Sequence, residues 1–217
     1  MWFIGITGGI GAGKSEILGY IRTHYSCEIY LADQVAHLVK QPGTEAYGKL
    51  LDLLGQDVAD DSGQIVKERM ADKIFADPEL LTKVNAVIHP AVREYLLGRL
   101  DAARLSGETE LFFVEAALLI ETGYRSLVDE MWYVYADREV RRERLERSRG
   151  YSREKISRIM DAQLSEERFR ENCDFVIDNS GDFQESCRQI DRRLGGRARR
   201  YEEGDPRERG CEADNLK

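Results

Sequence analysis

Gly8-Gly9-Ile10-Gly11-Ala12-Gly13-Lys14-Ser15, reading GGIGAGKS, fits the phosphate-binding pattern G-x-x-x-x-G-K-[ST] over its whole length. Its flanks suit it. Met1 to Thr7 (MWFIGIT) is a short apolar, β-prone run, and Glu16 to Tyr25 has helical spacing with Ile17, Leu18 and Ile21 on one face. Strand, glycine loop and helix start therefore follow in the order such a loop requires. Glycines permit positive φ and let backbone N–H groups close around phosphate oxygens. The helix beginning near Lys14 adds its positive end. Lys14 then reaches the terminal phosphates, and the Ser15 hydroxyl ligates Mg²⁺. A glycine turn that binds nothing could match the pattern alone, but not its flanks as well. Gly9, Ile10, Gly11, Ala12, Gly13, Lys14 and Ser15 are the expected nucleotide-binding stretch of a protein that takes a nucleoside triphosphate.

Outward from the loop, Cys27 to Leu31 (CEIYL) reads as a second strand ending at Ala32-Asp33. Leu111 to Ala116 (LFFVEA) is a third, almost continuously apolar, as a strand buried on both sheet faces should be. Met131 to Ala136 (MWYVYA) is the fourth, Asp174 to Asp178 (DFVID) the fifth, and Phe183 to Leu194 a final helix. Strands alternating with helices predict an α/β fold with a doubly wound parallel sheet of five strands. Gln34 to Gly107 is helical and punctuated. Gln41-Pro42-Gly43 breaks it, Asp60-Asp61-Ser62-Gly63 is a turn, Asp77-Pro78-Glu79 opens a helix, and His89-Pro90 ends one helix and starts another. That excursion is too long for a simple crossover and reads as an insertion. The expected organisation is a core from 1–33, 109–137 and 173–195, a helical insertion at 34–108, and an arginine-rich helical stretch at 138–172. Residues 196–217, with little apolar content, read as a disordered tail.

The chain has 217 residues, a formal net charge of −8 and four scattered cysteines with no C-x-x-C pair. Its acidic balance weighs against a nucleic-acid partner, which favours a basic face. The cysteines read as reduced thiols of a cytoplasmic protein. No apolar run approaches the roughly 20 residues of a membrane span, and no signal-peptide pattern precedes the first strand. Positive charge is concentrated in Arg138, Arg141, Arg142, Arg144, Arg147, Arg149, Arg153 and Arg158. Interleaved glutamates make a solvated face of i,i+4 pairs one reading of that cluster. A lid whose arginines close over a triphosphate is the other.

Two acids stand at strand ends. Asp33 lies just past the second strand, on the edge where open α/β sheets bind ligands. It can orient or deprotonate an acceptor hydroxyl or help hold Mg²⁺, or it can simply cap the next helix. Glu115 ends the third strand. Its apolar context makes a core-facing carboxylate costly, which leaves a metal-facing acid or one satisfied by a basic neighbour. His37 and His89 lack a second ligand at metal spacing.

With these residues in hand, the chain resembles the dephospho-coenzyme A kinase family from about Trp2 to Leu194. The marks are ITGGIGAGKS, Ala32-Asp33, Ile74-Phe75, NAVIHP from Asn85 to Pro90, Leu118 to Glu121, Arg158 with Gln163, and Val176 to Asn179. The resemblance implies strand order 2-3-1-4-5, a helical substrate domain and a lid. It implies transfer of the ATP γ-phosphoryl group to the ribose 3′-hydroxyl of dephospho-coenzyme A. Catalytic roles then fall to Asp33, Lys14 and Arg144, with Arg144 on the nucleotide and Ser15 and Glu115 on Mg²⁺. Leu31, His37, Val66-Lys67, Ala117 and Ser148 depart from the family's usual residues. Another P-loop kinase acting on a nucleotide or small metabolite, or an inactive nucleotide-binding regulator, are the alternatives.

Overall fold

Five parallel strands form one sheet in the order β2-β3-β1-β4-β5. They are β1 (Trp2–Thr7), β2 (Cys27–Leu31), β3 (Leu111–Glu115), β4 (Glu130–Tyr135) and β5 (Phe175–Asp178), each within one residue of its expected span. The structure is a computed structural model that describes residues 1–198. Register decides where the site forms. Glu115 pairs with Ile6 on one side and with Leu31 on the other, so the carboxyl ends of β1, β2 and β3 are level. The loop after β1 and the turn after β2 leave the sheet from that shared edge.

Side chains alternate across the sheet, and both faces are covered. Ile4, Ile6, Phe113 and Trp132 pack against Ile17 and Ile21 of α1 (Lys14–His24) and Ile190 and Leu194 of α9 (Phe183–Leu194). On the other face Phe3, Phe112 and Val114 meet Val35 of α2 (Ala32–Leu38) and Leu96 and Leu100 of α5 (Pro78–Ser106). This is the doubly wound arrangement expected of alternating strands and helices.

The insertion consists of α2, α3 (Glu45–Leu54), α4 (Lys67–Ala76) and α5. It has a satellite core in which Leu50, Leu54 and Met70 pack with Val84. Asp77 caps α5 through its side chain, with Pro78 in the first turn. The helix does not break at His89-Pro90; it runs on for 29 residues. An interior proline costs a helix about 3 kcal/mol and leaves the Ala86 carbonyl without its usual donor. Burying Val84 in the satellite core and Leu96 and Leu100 on the sheet contributes about 1.5–3 kcal/mol per side chain, which outweighs the proline. One continuous helix spans two cores.

The arginine-rich stretch forms α6 (Arg138–Arg149), α7 (Arg153–Asp161) and α8 (Glu166–Asn172). Gly150, at φ 61°, ends α6, and the Ser152 and Ser165 side chains cap the next two helices. Leu145, Ile156 and Met160 form a small core of their own, completed by Ile10 of the glycine loop. The first residues after Gly195 are docked: the Ser26 N–H donates to the Ala198 carbonyl at 2.6 Å, and the Arg197 guanidinium lies 5.1 Å over the Trp2 ring. The rest of that segment, with Cys211, lies outside the described residues. Among those described, Cys173 and Cys187 are free thiols. No described helix is long and apolar enough to cross a membrane.

Candidate active site

The glycine loop is shaped by four neighbours that leave no room for side chains. A Cβ at Gly8 would overlap the Val134 carbonyl, one at Gly9 the Arg141 guanidinium, and one at Gly13 the Asn179 amide. At Gly11 it would crowd the Arg141 carbonyl and Leu145 of α6. Gly13 also adopts φ 92°, an αL conformation, and serves as N-cap of α1 with no side chain to satisfy the first-turn N–H groups. Those N–H groups, with the helix dipole behind them, make an anion site at Lys14 and Ser15.

Lys14 folds back over this loop. Its Nζ donates to the Gly8 carbonyl at 2.7 Å and stands 3.6 Å from Glu115 Oε1, both side chains being mostly buried. Burial pushes the Lys14 ammonium down from the ordinary lysine range, and the Glu115 charge opposes the shift. Burial likewise pushes the Glu115 carboxyl up; Lys14 opposes this and the Asp33 charge adds to it. Glu115 thus has a basic neighbour and also faces a ligand cavity of 580 Å³ that it shares with Lys14, Ser15 and Asp33. Mg²⁺ in kinase sites takes hard oxygens, one or two from the protein and the rest from phosphates and water. The Ser15 hydroxyl and the Glu115 carboxylate are a donor set of that kind. Among the described residues no cluster of three His, Cys, Asp or Glu side chains could hold a metal unaided.

Asp33 lies in the first turn of α2 and is exposed. The N-cap of that helix is Leu31, so Asp33 is not its cap. Asp33 lines both the phosphate-side cavity and a second cavity of 220 Å³ on its other side. The second cavity has apolar walls from Ala36, Val92, Ala117 and Leu119, with His89, Arg93 and Tyr124 among its polar groups. Arg93 Nη2 donates to the Thr122 carbonyl at 2.5 Å and its Cζ lies 5.7 Å from the Tyr124 ring centre. Arg93 Nε and the Tyr124 hydroxyl are buried without a hydrogen-bond partner. Buried donors of that kind are completed by a ligand or by water.

The arginines divide by position. Arg144 bridges two carbonyls: Nη2 donates to Asn179 at 2.8 Å and Nη1 to Ala12 at 3.4 Å, beside the phosphate cavity. Arg149 and Ser148 line the same cavity. Arg138, Arg153 and Arg170 instead make exposed ion pairs with Asp161, Glu146 and Glu166, the solvated-face role. Arg141, Gln163 and Asn179 also reach the loop, and the motif reading gave none of them a role. Gln163 Oε1 accepts from the Ile10 N–H at 3.0 Å and from Arg141 Nη2 at 2.8 Å. Asn179 Nδ2 donates to the Ala12 carbonyl at 2.9 Å.

A glycine loop feeding a helix, on a parallel sheet of this order and with an acid standing between two ligand cavities, defines a P-loop kinase. The sequence pattern of the Dephospho-CoA kinase family matches residues 2–185. The chain is 34% identical to the dephospho-CoA kinase of Anaeromyxobacter dehalogenans over 95% of its own length and 99% of the relative's. It is 35% identical to that of Geobacter sulfurreducens, covering 88% and 96%. The crystal structure of TT1252 from Thermus thermophilus superposes with a TM-score of 0.74 at 30% identity, covering 89% of this chain and 96% of that one. The chain belongs to the dephospho-CoA kinase family.

Proposed function

We propose that this chain transfers the γ-phosphoryl group of ATP to the ribose 3′-hydroxyl of dephospho-coenzyme A, with Asp33 readying the acceptor oxygen. The position of Asp33 carries the reading: it borders the phosphate cavity and the apolar cavity, where a donor phosphate and an acceptor hydroxyl can meet. The loop and Lys14 hold the phosphates. Ser15 and Glu115 would hold Mg²⁺, which would supply further positive charge beside them. Segment 34–108 forms the wall of the acceptor site and 138–172 the lid, whose arginine on the nucleotide is Arg144. Catalysis here is positioning and electrostatics, as phosphoryl transfer generally requires. An ADP-release assay tests it. Stimulation by dephospho-coenzyme A is expected; stimulation only by nucleoside monophosphates, or ATP binding without turnover, would reject the reading.

Two substitutions probe the walls. In Arg93→Met the stem volume stays while the cation and its donors go. Removing a charged hydrogen-bond donor costs about 1.5–3 kcal/mol, so the Michaelis constant for the acceptor is expected to rise roughly 10–100-fold with that for ATP unmoved. An unchanged acceptor constant would exclude Arg93 from the acceptor site. In Arg144→Lys an ammonium cannot span the Asn179 and Ala12 carbonyls as the planar guanidinium does. Turnover is expected to fall roughly tenfold, the equivalent of one charged hydrogen bond. A silent Arg144→Lys beside a severe Arg149→Lys would shift the nucleotide role to Arg149.

A further inference from the structure

Ile10 is held three ways by the segment that follows β4. Its side chain packs with Leu145, Ile156 and Met160. Its carbonyl accepts from Arg141 Nε at 2.8 Å, and its N–H donates to Gln163 Oε1 at 3.0 Å. Gln163 Oε1 also accepts from Arg141 Nη2 at 2.8 Å, which closes the ring of contacts. Both groups facing that atom are donors, so the amide orientation is fixed by its surroundings. The same guanidinium lies on Gly9, where any Cβ would collide with it. The peptide that opens the phosphate loop is therefore gripped on its polar and apolar sides by residues from two helices and the turn after α7.

We propose that Gln163 and Arg141 are positioning residues for the triphosphate site, clamping the Ile10 peptide so that nucleotide affinity depends on segment 138–163 being seated on the loop. The proposal rests on the reading of this chain as an ATP-dependent kinase and gives Gln163 a role. Neither residue touches a reacting atom. Both polar groups of Ile10 are taken by the clamp, so Ile10 serves as the keystone between loop and lid, and the N–H groups at the start of α1 are left for the phosphates. A loop released at Ile10 samples more conformations, and binding must then supply the ordering that the clamp provides beforehand.

The test measures Mg·ATP binding by calorimetry on the full chain without acceptor, together with Michaelis constants for both substrates and melting temperatures. Gln163→Leu keeps the volume and leaves the Ile10 N–H without its acceptor. It is expected to weaken ATP binding roughly 5–20-fold, the consequence of an unmade half-buried hydrogen bond, and to leave the acceptor constant unchanged. Gln163→Glu accepts from the same two donors and is expected to bind ATP much as the unmodified chain does. Arg141→Met combined with Gln163→Leu is expected to be no worse than the more damaging single change, since both break one network. Three results would overturn the clamp: unchanged ATP affinity in Gln163→Leu with only a lowered melting temperature, a parallel rise in both substrate constants, or a Glu variant as weak as the Leu variant. Mg·ATP binding reads the clamp even if dephospho-coenzyme A proves inert, which would reject the acceptor assignment alone.

Discussion

Lys14→Ala is expected to lose roughly 10²–10³ in turnover, the usual consequence of removing one preorganised charge from a phosphoryl or oxyanion site. The ammonium is held before substrate arrives, by the Gly8 carbonyl at 2.7 Å and by Glu115 at 3.6 Å. It therefore needs little reorganisation when charge develops on the transferring phosphoryl group. Loss of the cation leaves Glu115, already pushed up by burial, without its opposing charge, so that carboxyl takes up a proton more readily. The fold is expected to survive, since Ile17, Leu18 and Ile21 anchor α1 independently. Weak ATP binding persists through the loop N–H groups, and near-normal turnover in a folded variant would remove Lys14 from the mechanism. Burial of Lys14 also shapes the pH profile. If the cationic form is the active one, its lowered pKa means that activity is expected to be lost as pH rises through a value below the ordinary lysine range. In kcat/KM for ATP, which reports the free enzyme, the alkaline limb is expected at lower pH than in kcat, where bound phosphates hold the proton. A limb at the same pH in both profiles would mean that Lys14 does not titrate in either.

How much of this was legible follows the kind of interaction. The loop and the five strands were readable because each rests on local signals: a contiguous motif, apolar runs such as LFFVE, and turns between them. The strand order is non-local and came from the family resemblance. The strand-end positions of Asp33 and Glu115 followed from the same pattern. Arg93 was missed for a specific reason. Reading Pro90 as a helix break put His89 and Arg93 on separate helices, whereas continuous α5 places them one turn apart on the cavity wall. Burial in two cores overrode the local rule, and burial cannot be read from a dipeptide. Arg141 was hidden differently, among arginines that composition does not distinguish. Only the packing of α6 on the loop separates it from Arg138, which pairs with Asp161 in solvent. Gln163 and Asn179 were conspicuous only as marks of the resemblance. Their partners are the Ile10 and Ala12 backbones, over 150 residues away in sequence.

Asp33→Asn separates the roles open to this acid. The amide has nearly the same size and can still orient a hydroxyl, but it cannot accept a proton and carries no charge. If Asp33 takes the acceptor proton, turnover is expected to fall by roughly 10²–10⁴, the range for a general base, with the ATP constant little changed because the loop and Lys14 hold the triphosphate. If its charge mainly supports Mg²⁺ beside Glu115, the variant is expected to need far more magnesium and to recover when given it. A capping role is already excluded, since Leu31 occupies the N-cap of α2. What the helix loses is one negative charge in its first turn, worth about 0.3–1 kcal/mol. For a chain of this size that is a melting shift of at most about 2–4 °C, so a large loss of activity cannot be attributed to unfolding. The base role is expected to prevail for a geometric reason. Asp33 borders both cavities, whereas Ser15 and Glu115 line only the phosphate side, so an acceptor hydroxyl in the apolar cavity would meet Asp33 rather than either of them. Magnesium rescue would move Asp33 to the metal, and turnover near that of the unmodified chain would remove it from the chemistry.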